Sequence, residues 1–77
     1  MSKRPELKNF GESVRKFRKM VGLSQEELAD RAEIHRTYIG GIERGERNPT
    51  LLMIYRLADA LGILPSKLLE HETDSSS

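Results

Sequence analysis

Apolar residues recur along this chain at the three- and four-residue spacing of amphipathic helices. Near the N-terminus, four of them lie four, three and four residues apart, which places them on one helical face: Phe10, Val14, Phe17 and Val21. Similar spacing predicts four more short helices. No stretch alternates between apolar and polar positions as a strand would. We therefore predict an all-α fold.

Capping residues mark where these helices begin. Ser24, followed three residues later by Glu27, has the spacing of a capping box. Thr50 is a good N-cap, and Pro65 suits the first turn of the last helix. The five predicted helices cover residues 7–21, 25–32, 36–44, 51–61 and 65–70.

The two ends of the chain lack core-facing residues. We predict a flexible basic arm over residues 1–6, one folded domain over 7–70 and a disordered acidic tail over 71–77. A chain of 77 residues can bury only a thin core. A partner subunit is therefore expected to help stabilise it.

Composition excludes several kinds of site. There is no cysteine, which rules out disulfides, thiolate metal sites and cysteine nucleophiles. His35 and His71 are isolated, and neither a metal cluster nor a glycine-rich phosphate loop is present. We expect no enzyme activity, no metal and no cofactor. No apolar run approaches the roughly 20 residues of a membrane span. The expectation is a soluble, cytoplasmic protein without a membrane partner.

The formal net charge of +1 conceals an uneven distribution. Residues 1–69 contain all 13 basic residues and nine acidic ones, whereas residues 70–77 contain three acidic residues and no basic one. The domain is therefore basic, which permits a polyanionic partner without requiring one.

The second and third predicted helices are joined by a brief turn at residues 33–34, the minimum unit of a helix-turn-helix. Small or apolar residues occupy the positions that would face a shared core: Leu28, Ala29, Ala32, Ile34, Ile39 and Ile42. Together with the capping box, this pattern is fairly specific.

The segments "LSQEELA", "IERGERNP" and "LADALGI" resemble the helix-turn-helix domain of phage repressors and Cro proteins, the XRE family. The resemblance covers about residues 10–69, and "HRTYIGGIERGERNP" is most similar to restriction–modification controller proteins. It implies a lambda-repressor-like DNA-binding domain of five helices. It also implies a prokaryotic or phage-encoded, nucleoid-associated regulator that binds double-stranded operator DNA as a homodimer.

On this resemblance, the protein would regulate its own gene and an endonuclease gene, with RNA polymerase as a further candidate partner. A phage-type repressor and an autoregulatory antitoxin are the alternatives within the DNA-binding class. The alternative from another class is a protein-interaction module without DNA binding.

The first turn of the third helix supplies the predicted base contacts, because a recognition helix touches base edges with its N-terminal residues. Arg36 can pair bidentately with guanine, and Thr37 offers a hydroxyl and a methyl group. Tyr38 could donate to a phosphate, stack on a sugar edge, or simply pack over the fourth helix. Solvent-exposed, non-contacting roles remain open for Arg36 and Thr37.

Five residues are predicted to contact the DNA backbone: Gln25, His35, Arg44, Arg47 and Asn48. The start of the second helix can present Gln25 and backbone N–H groups to one phosphate, a role that the resemblance supports. His35 would be an N-cap or a phosphate donor. Surface solvation is the alternative for the other three.

The resemblance further implies a structural ion pair between Arg18 and Glu43, which would join the first and third helices. The last two helices contain more apolar residues than a domain this small can bury. We therefore predict a dimer interface that includes Tyr55, Ile63 and Leu64; the alternative is that all of them complete the monomer core.

Two positions depart from the family pattern. Glu33 stands where glycine is usual, and would add strain of order 1 kcal/mol if its φ were positive. Gly40 stands where a small polar residue is common. With Gly41, it would let the backbone approach DNA or a neighbouring helix closely, unless the helix ends near Ile39.

Overall fold

The computed structural model describes residues 4–70, and its regular elements are all helical. In chain order, these are α1 (Pro5–Met20), α2 (Gln25–Ala32), α3 (Arg36–Glu43), α4 (Leu51–Leu61) and α5 (Pro65–Leu69). The prediction of an all-α fold with five helices is confirmed. The predicted acidic tail and the first three residues of the predicted arm lie outside the described residues.

Both ends of α1 differ from the prediction. The helix begins at Pro5 because proline fits its first turn, so Pro5 and Glu6 are helical rather than part of an arm. It ends at Met20, where Val21 becomes the C-cap. The prediction that Val21 extends the apolar face of this helix is wrong, since Val21 follows the last helical residue and is 49% exposed.

The capping box at the start of α2 has both of its hydrogen bonds. The Glu27 N–H donates to Ser24 Oγ over 3.0 Å, and the Ser24 N–H donates to Glu27 Oε1 over 2.8 Å. This bond from the Ser24 backbone lowers the pKa of Glu27 below its ordinary value. Thr50 Oγ1 caps α4 by accepting from the Met53 N–H over 3.2 Å.

One core joins all five helices, with α1 packed against α3 and α5, and α2 packed against α3 and α4. All six residues predicted to face the core of the helix-turn-helix are buried: Leu28, Ala29, Ala32, Ile34, Ile39 and Ile42. The core therefore fixes α3 against α1, α2 and the rest of the domain.

The turn between α2 and α3 has the strained backbone that the sequence allowed for. Glu33 adopts φ 59° and ψ 44°, the left-handed region that favours glycine. A non-glycine residue there costs about 1–2 kcal/mol. The turn is nevertheless closed, because the Ile34 N–H donates to the Ala29 carbonyl over 3.0 Å.

The close crossing of α1 and α3 depends on Gly11, which no local pattern in the sequence marks. A Cβ atom on Gly11 would overlap the carbonyl oxygen of Ile42 and would lie 2.8 Å from that of Glu43. Both oxygens belong to the backbone of α3. The absence of a side chain at Gly11 therefore sets how closely the two helices approach.

Candidate nucleic-acid interface

His35 is the N-cap of α3, and the residues that follow it in the first turn are exposed. Its Nδ1 accepts a hydrogen bond from the Thr37 N–H over 3.1 Å. In a neutral ring bonded this way, the proton is on Nε2, which remains a donor. Arg36 and Thr37 occupy the exposed first turn. The N-cap and phosphate-donor roles considered for His35 are thus compatible.

Arg36 is held by an acidic residue of α2. Its Nη1 donates to Glu26 Oε2 over 2.6 Å, and the two side chains are 64% and 68% exposed. The pair links the first turn of α2 to the first turn of α3. Glu26 was not among the residues singled out from the sequence, because a surface glutamate carries no signal of its own.

Tyr38 is half-buried, and its ring packs against the core. The guanidinium carbon of Arg47 lies 5.2 Å from the ring centroid, and the hydroxyl is 3.4 Å from the Asn48 carbonyl oxygen. The ring is therefore occupied by packing, and the hydroxyl donates a long hydrogen bond to Asn48. These three residues form one cluster beside the end of α3.

Both adjacent glycines of α3 are buried within the helix, which continues to Glu43. The alternative that the helix ends near Ile39 is therefore wrong. A Cβ atom on Gly41 would lie 2.6 Å from Arg47 Cγ. Because Gly41 has no Cβ atom, the Arg47 side chain can lie against α3 at this position and place its guanidinium over the Tyr38 ring.

The absence of a side chain at Gly40 likewise makes room for the side chains of two other predicted contact residues. A Cβ atom there would lie 3.1 Å from Arg44 Nη1 and 3.6 Å from Gln25 Oε1. The close approach expected at the glycines is thus made by side chains of the same domain. Arg44 also donates through Nε to Glu46 Oε1 over 3.0 Å.

A hydrogen-bonded network connects the candidate interface to the interior of the domain. Arg18 donates from Nε and Nη2 to the two carboxylate oxygens of Glu43, over 2.7 and 3.0 Å, and from Nη1 to the Leu23 carbonyl over 2.9 Å. The Arg18 and Glu43 side chains are 11% and 4% exposed. Gln25 Nε2 donates to Glu43 Oε1 over 3.0 Å.

The bonds to Glu43 raise the pKa of Arg18 further above its ordinary value. The Arg18 guanidinium therefore stays charged at neutral pH. Since Gln25 shares an acceptor with Arg18, its exposed amide is anchored at the start of α2.

Seven of the eight predicted contact residues divide into two groups. Gln25, Arg36, Thr37 and Arg44 line one groove between the starts of α2 and α3, together with Arg18, Ser24, Glu26 and Gly40. Tyr38, Arg47 and Asn48 form the second cluster, at the end of α3. His35 lines a neighbouring groove with Glu26.

The predicted interface residues differ in exposure. Tyr55 is 55% exposed and Leu64 is 69% exposed, whereas Ile63 is half-buried and packs against the core. Leu51 and Leu52, in the first turn of α4, are also exposed. Leu51 lies four residues before Tyr55, a spacing that could have indicated a shared helical face from sequence.

Residues 4–70 contain neither a metal-binding cluster nor a helix able to span a membrane. No three His, Asp or Glu side chains of this part of the chain are placed to hold a metal ion. None of its helices has the length and apolar character needed to cross a membrane.

A family model described as "Helix-turn-helix" matches residues 14–68, most of the chain. The chain belongs to this helix-turn-helix family. It is a DNA-binding transcription regulator of the XRE type, and the resemblance identified from sequence is confirmed.

This helix-turn-helix protein is similar in sequence to two curated control proteins. Control protein C.SmaI of Serratia marcescens is 49% identical over 63 residues, which cover 82% of this chain and 75% of the relative. Control protein C.BamHI of Bacillus amyloliquefaciens is 46% identical over 65 residues, covering 83% and 80%.

Among solved structures, the restriction-modification controller protein C.AhdI from Aeromonas hydrophila matches with a TM-score of 0.83 and 46% identity. The match covers 84% of this helix-turn-helix chain and 98% of the controller protein. The similarity therefore extends over nearly the whole length of C.AhdI.

Proposed function

We propose that this protein is a restriction–modification controller that binds operator DNA as a homodimer and regulates its own gene and an endonuclease gene. The observation that carries the proposal is the exposed first turn of α3, with Arg36 and Thr37 beside the anchored amide of Gln25. The names of the relatives C.SmaI, C.BamHI and C.AhdI support the controller role. Regulation of transcription implies action in the cytoplasm, with RNA polymerase as a second proposed partner.

The proposed complex places the first turn of α3 in the major groove. Arg36 and Thr37 would contact base edges there, and the Tyr38 hydroxyl would be a third contact. The groups proposed to contact phosphates fix the register without reading sequence. They are the Gln25 amide, the His35 Nε2 donor, and the side chains of Arg44, Arg47 and Asn48.

Replacement of Arg36 tests this mode of binding. Arg36→Ala is expected to weaken binding to a selected duplex by about 1–3 kcal/mol and to relax one base position, because a bidentate guanine contact is lost. Titration of labelled duplex at fixed salt measures both effects. Arg15→Ala is the matched control, since Arg15 is an exposed cation on α1. Equal affinities for the two variants would rule out base reading by Arg36.

The homodimer is proposed to form through exposed apolar side chains of α4 and of the residue that precedes α5. Leu51, Leu52, Tyr55 and Leu64 are each at least half exposed in one protomer. Burial of one such side chain contributes about 1.5–3 kcal/mol. A two-fold contact buries each side chain twice, once in each subunit. Two recognition helices could then read two half-sites.

Replacement of Leu64 tests the dimer. Leu64→Glu is expected to shift the protein from dimer to monomer at micromolar concentration, because a carboxylate would be buried in the contact. Sedimentation equilibrium measures the change. Met20→Glu, at an exposed apolar position at the end of α1, is the control and should remain dimeric. A dimer that persists in Leu64→Glu would contradict the assigned surface.

A further inference from the structure

We propose that Glu26 is a positioning residue that makes binding by Arg36 selective for its base over the DNA backbone. This inference rests on the proposed function. Glu26 Oε2 accepts from Arg36 Nη1 over 2.6 Å, and both residues line the groove that also contains Gln25, Thr37 and Arg44. Because both side chains are more than 60% exposed, the pair contributes little to the stability of the fold. The pair therefore acts in DNA recognition rather than in folding.

The chemistry of the guanidinium allows Arg36 to keep Glu26 and bind guanine at the same time. A guanidinium has five N–H donors in one plane. Glu26 uses one donor of Nη1, which leaves the edge formed by Nε–H and Nη2–H available. Two parallel donors are what the O6 and N7 acceptors of guanine require. Glu26 thus holds the side chain in one orientation without blocking base reading.

Binding of Arg36 to a phosphate is less favourable than binding to guanine while Glu26 is paired with it. Phosphate also accepts two parallel N–H bonds, so an unrestrained Arg36 would bind any duplex through its backbone. When Arg36 is paired with Glu26, its contact with a phosphate brings the Glu26 carboxylate close to that phosphate. The two groups are both negative, so their repulsion opposes the contact. Guanine carries no net charge, so the correct contact avoids this repulsion. Glu26 therefore disfavours non-specific binding.

The test compares two duplexes of equal length. One is selected from a randomised pool by the wild-type protein, and the other is a scrambled version of it. Glu26→Gln removes the charge and keeps the length of the side chain. We expect the variant to bind the scrambled duplex ~3–10-fold more tightly without a matching gain on the selected duplex. Its salt slope on the scrambled duplex should steepen by about 0.9, as one more phosphate is neutralised.

Two controls separate positioning from a general effect of charge. Glu12→Gln removes the same charge at an exposed position on α1 and should leave the ratio of the two affinities unchanged. In an Arg36→Ala background, Glu26→Gln should no longer alter that ratio, since Glu26 acts through Arg36. Thermal unfolding should be unchanged by Glu26→Gln in either background.

Three results would overturn the inference. They are an unchanged affinity ratio in Glu26→Gln, an equal gain on both duplexes, and an effect that persists without Arg36. If the wild-type protein selects no sequence from the pool, the proposed function fails and the inference fails with it. Selection by the wild-type protein with an unchanged ratio in Glu26→Gln refutes the inference alone.

Discussion

Glu43→Ala is expected to lower the free energy of unfolding by about 3–5 kcal/mol, because it leaves a buried guanidinium without its carboxylate. Two donors of Arg18 lose their acceptor in this variant, and only the bond to the Leu23 carbonyl remains among its three hydrogen bonds. Small domains have a total stability of about 5–15 kcal/mol. If the wild-type stability is near the lower end of this range, a large share of the variant molecules is unfolded near 37 °C.

Urea denaturation followed by circular dichroism measures this effect. Glu26→Ala is the matched control, since it removes the same chemical group from a pair that is exposed to solvent. Its cost should stay below about 1 kcal/mol. The double variant Arg18→Met with Glu43→Leu should recover much of the stability, because no buried charge is left unpaired. A cost below about 1 kcal/mol for Glu43→Ala would show that the pair does not stabilise the fold.

Gly11→Ala is expected to destabilise the protein by about 1–2 kcal/mol, although the same change usually stabilises a helix. At an open helical position, alanine is more favourable than glycine by about 1 kcal/mol. Here the added methyl group would meet the carbonyl oxygens of Ile42 and Glu43. Backbone atoms cannot rotate away as a side chain can, so α1 and α3 must separate. Such overpacking costs about 1–3 kcal/mol, occasionally more.

The prediction depends on whether the free energy of unfolding falls or rises in Gly11→Ala, and urea denaturation measures this change. Gly22→Ala provides the comparison, since a Cβ atom there meets nothing within 4 Å and the cost comes only from its φ of +77°. That cost should be about 1–2 kcal/mol. The fraction of Gly11→Ala that stays folded should also bind duplex DNA more weakly, because α3 is displaced. A Gly11→Ala variant more stable than wild type would contradict the close crossing.

Much of the fold follows from local signals in the sequence. The Ser24–Glu27 capping box and the N-cap Thr50 gave correct helix starts because the hydrogen bonds they make are local. Apolar spacing identified the buried face of the helix-turn-helix for the same reason. The error at Val21 came from counting one more helical residue beyond the point where the backbone turns. Periodicity gives the face of a helix more reliably than its last residue.

The interface was less accessible to sequence reasoning, because its details depend on contacts between residues far apart in the chain. Arg36 and Thr37 were placed in the exposed first turn of α3, as their position in the motif required. The pairing of Arg36 with Glu26 joins two helices and leaves no periodic trace. The close approach at Gly11 likewise depends on where α3 crosses α1. The DNA contacts themselves stay predictions.

One oxygen atom of Glu43 accepts from both Arg18 and Gln25. A genetic screen for loss of operator control would therefore recover substitutions deep inside the protein alongside substitutions on its surface. The two classes would share a phenotype but differ in cellular abundance, since a protein with a broken interior is degraded. Immunoblots of the mutants would sort them, and the interior class alone should regain function on lowering the growth temperature.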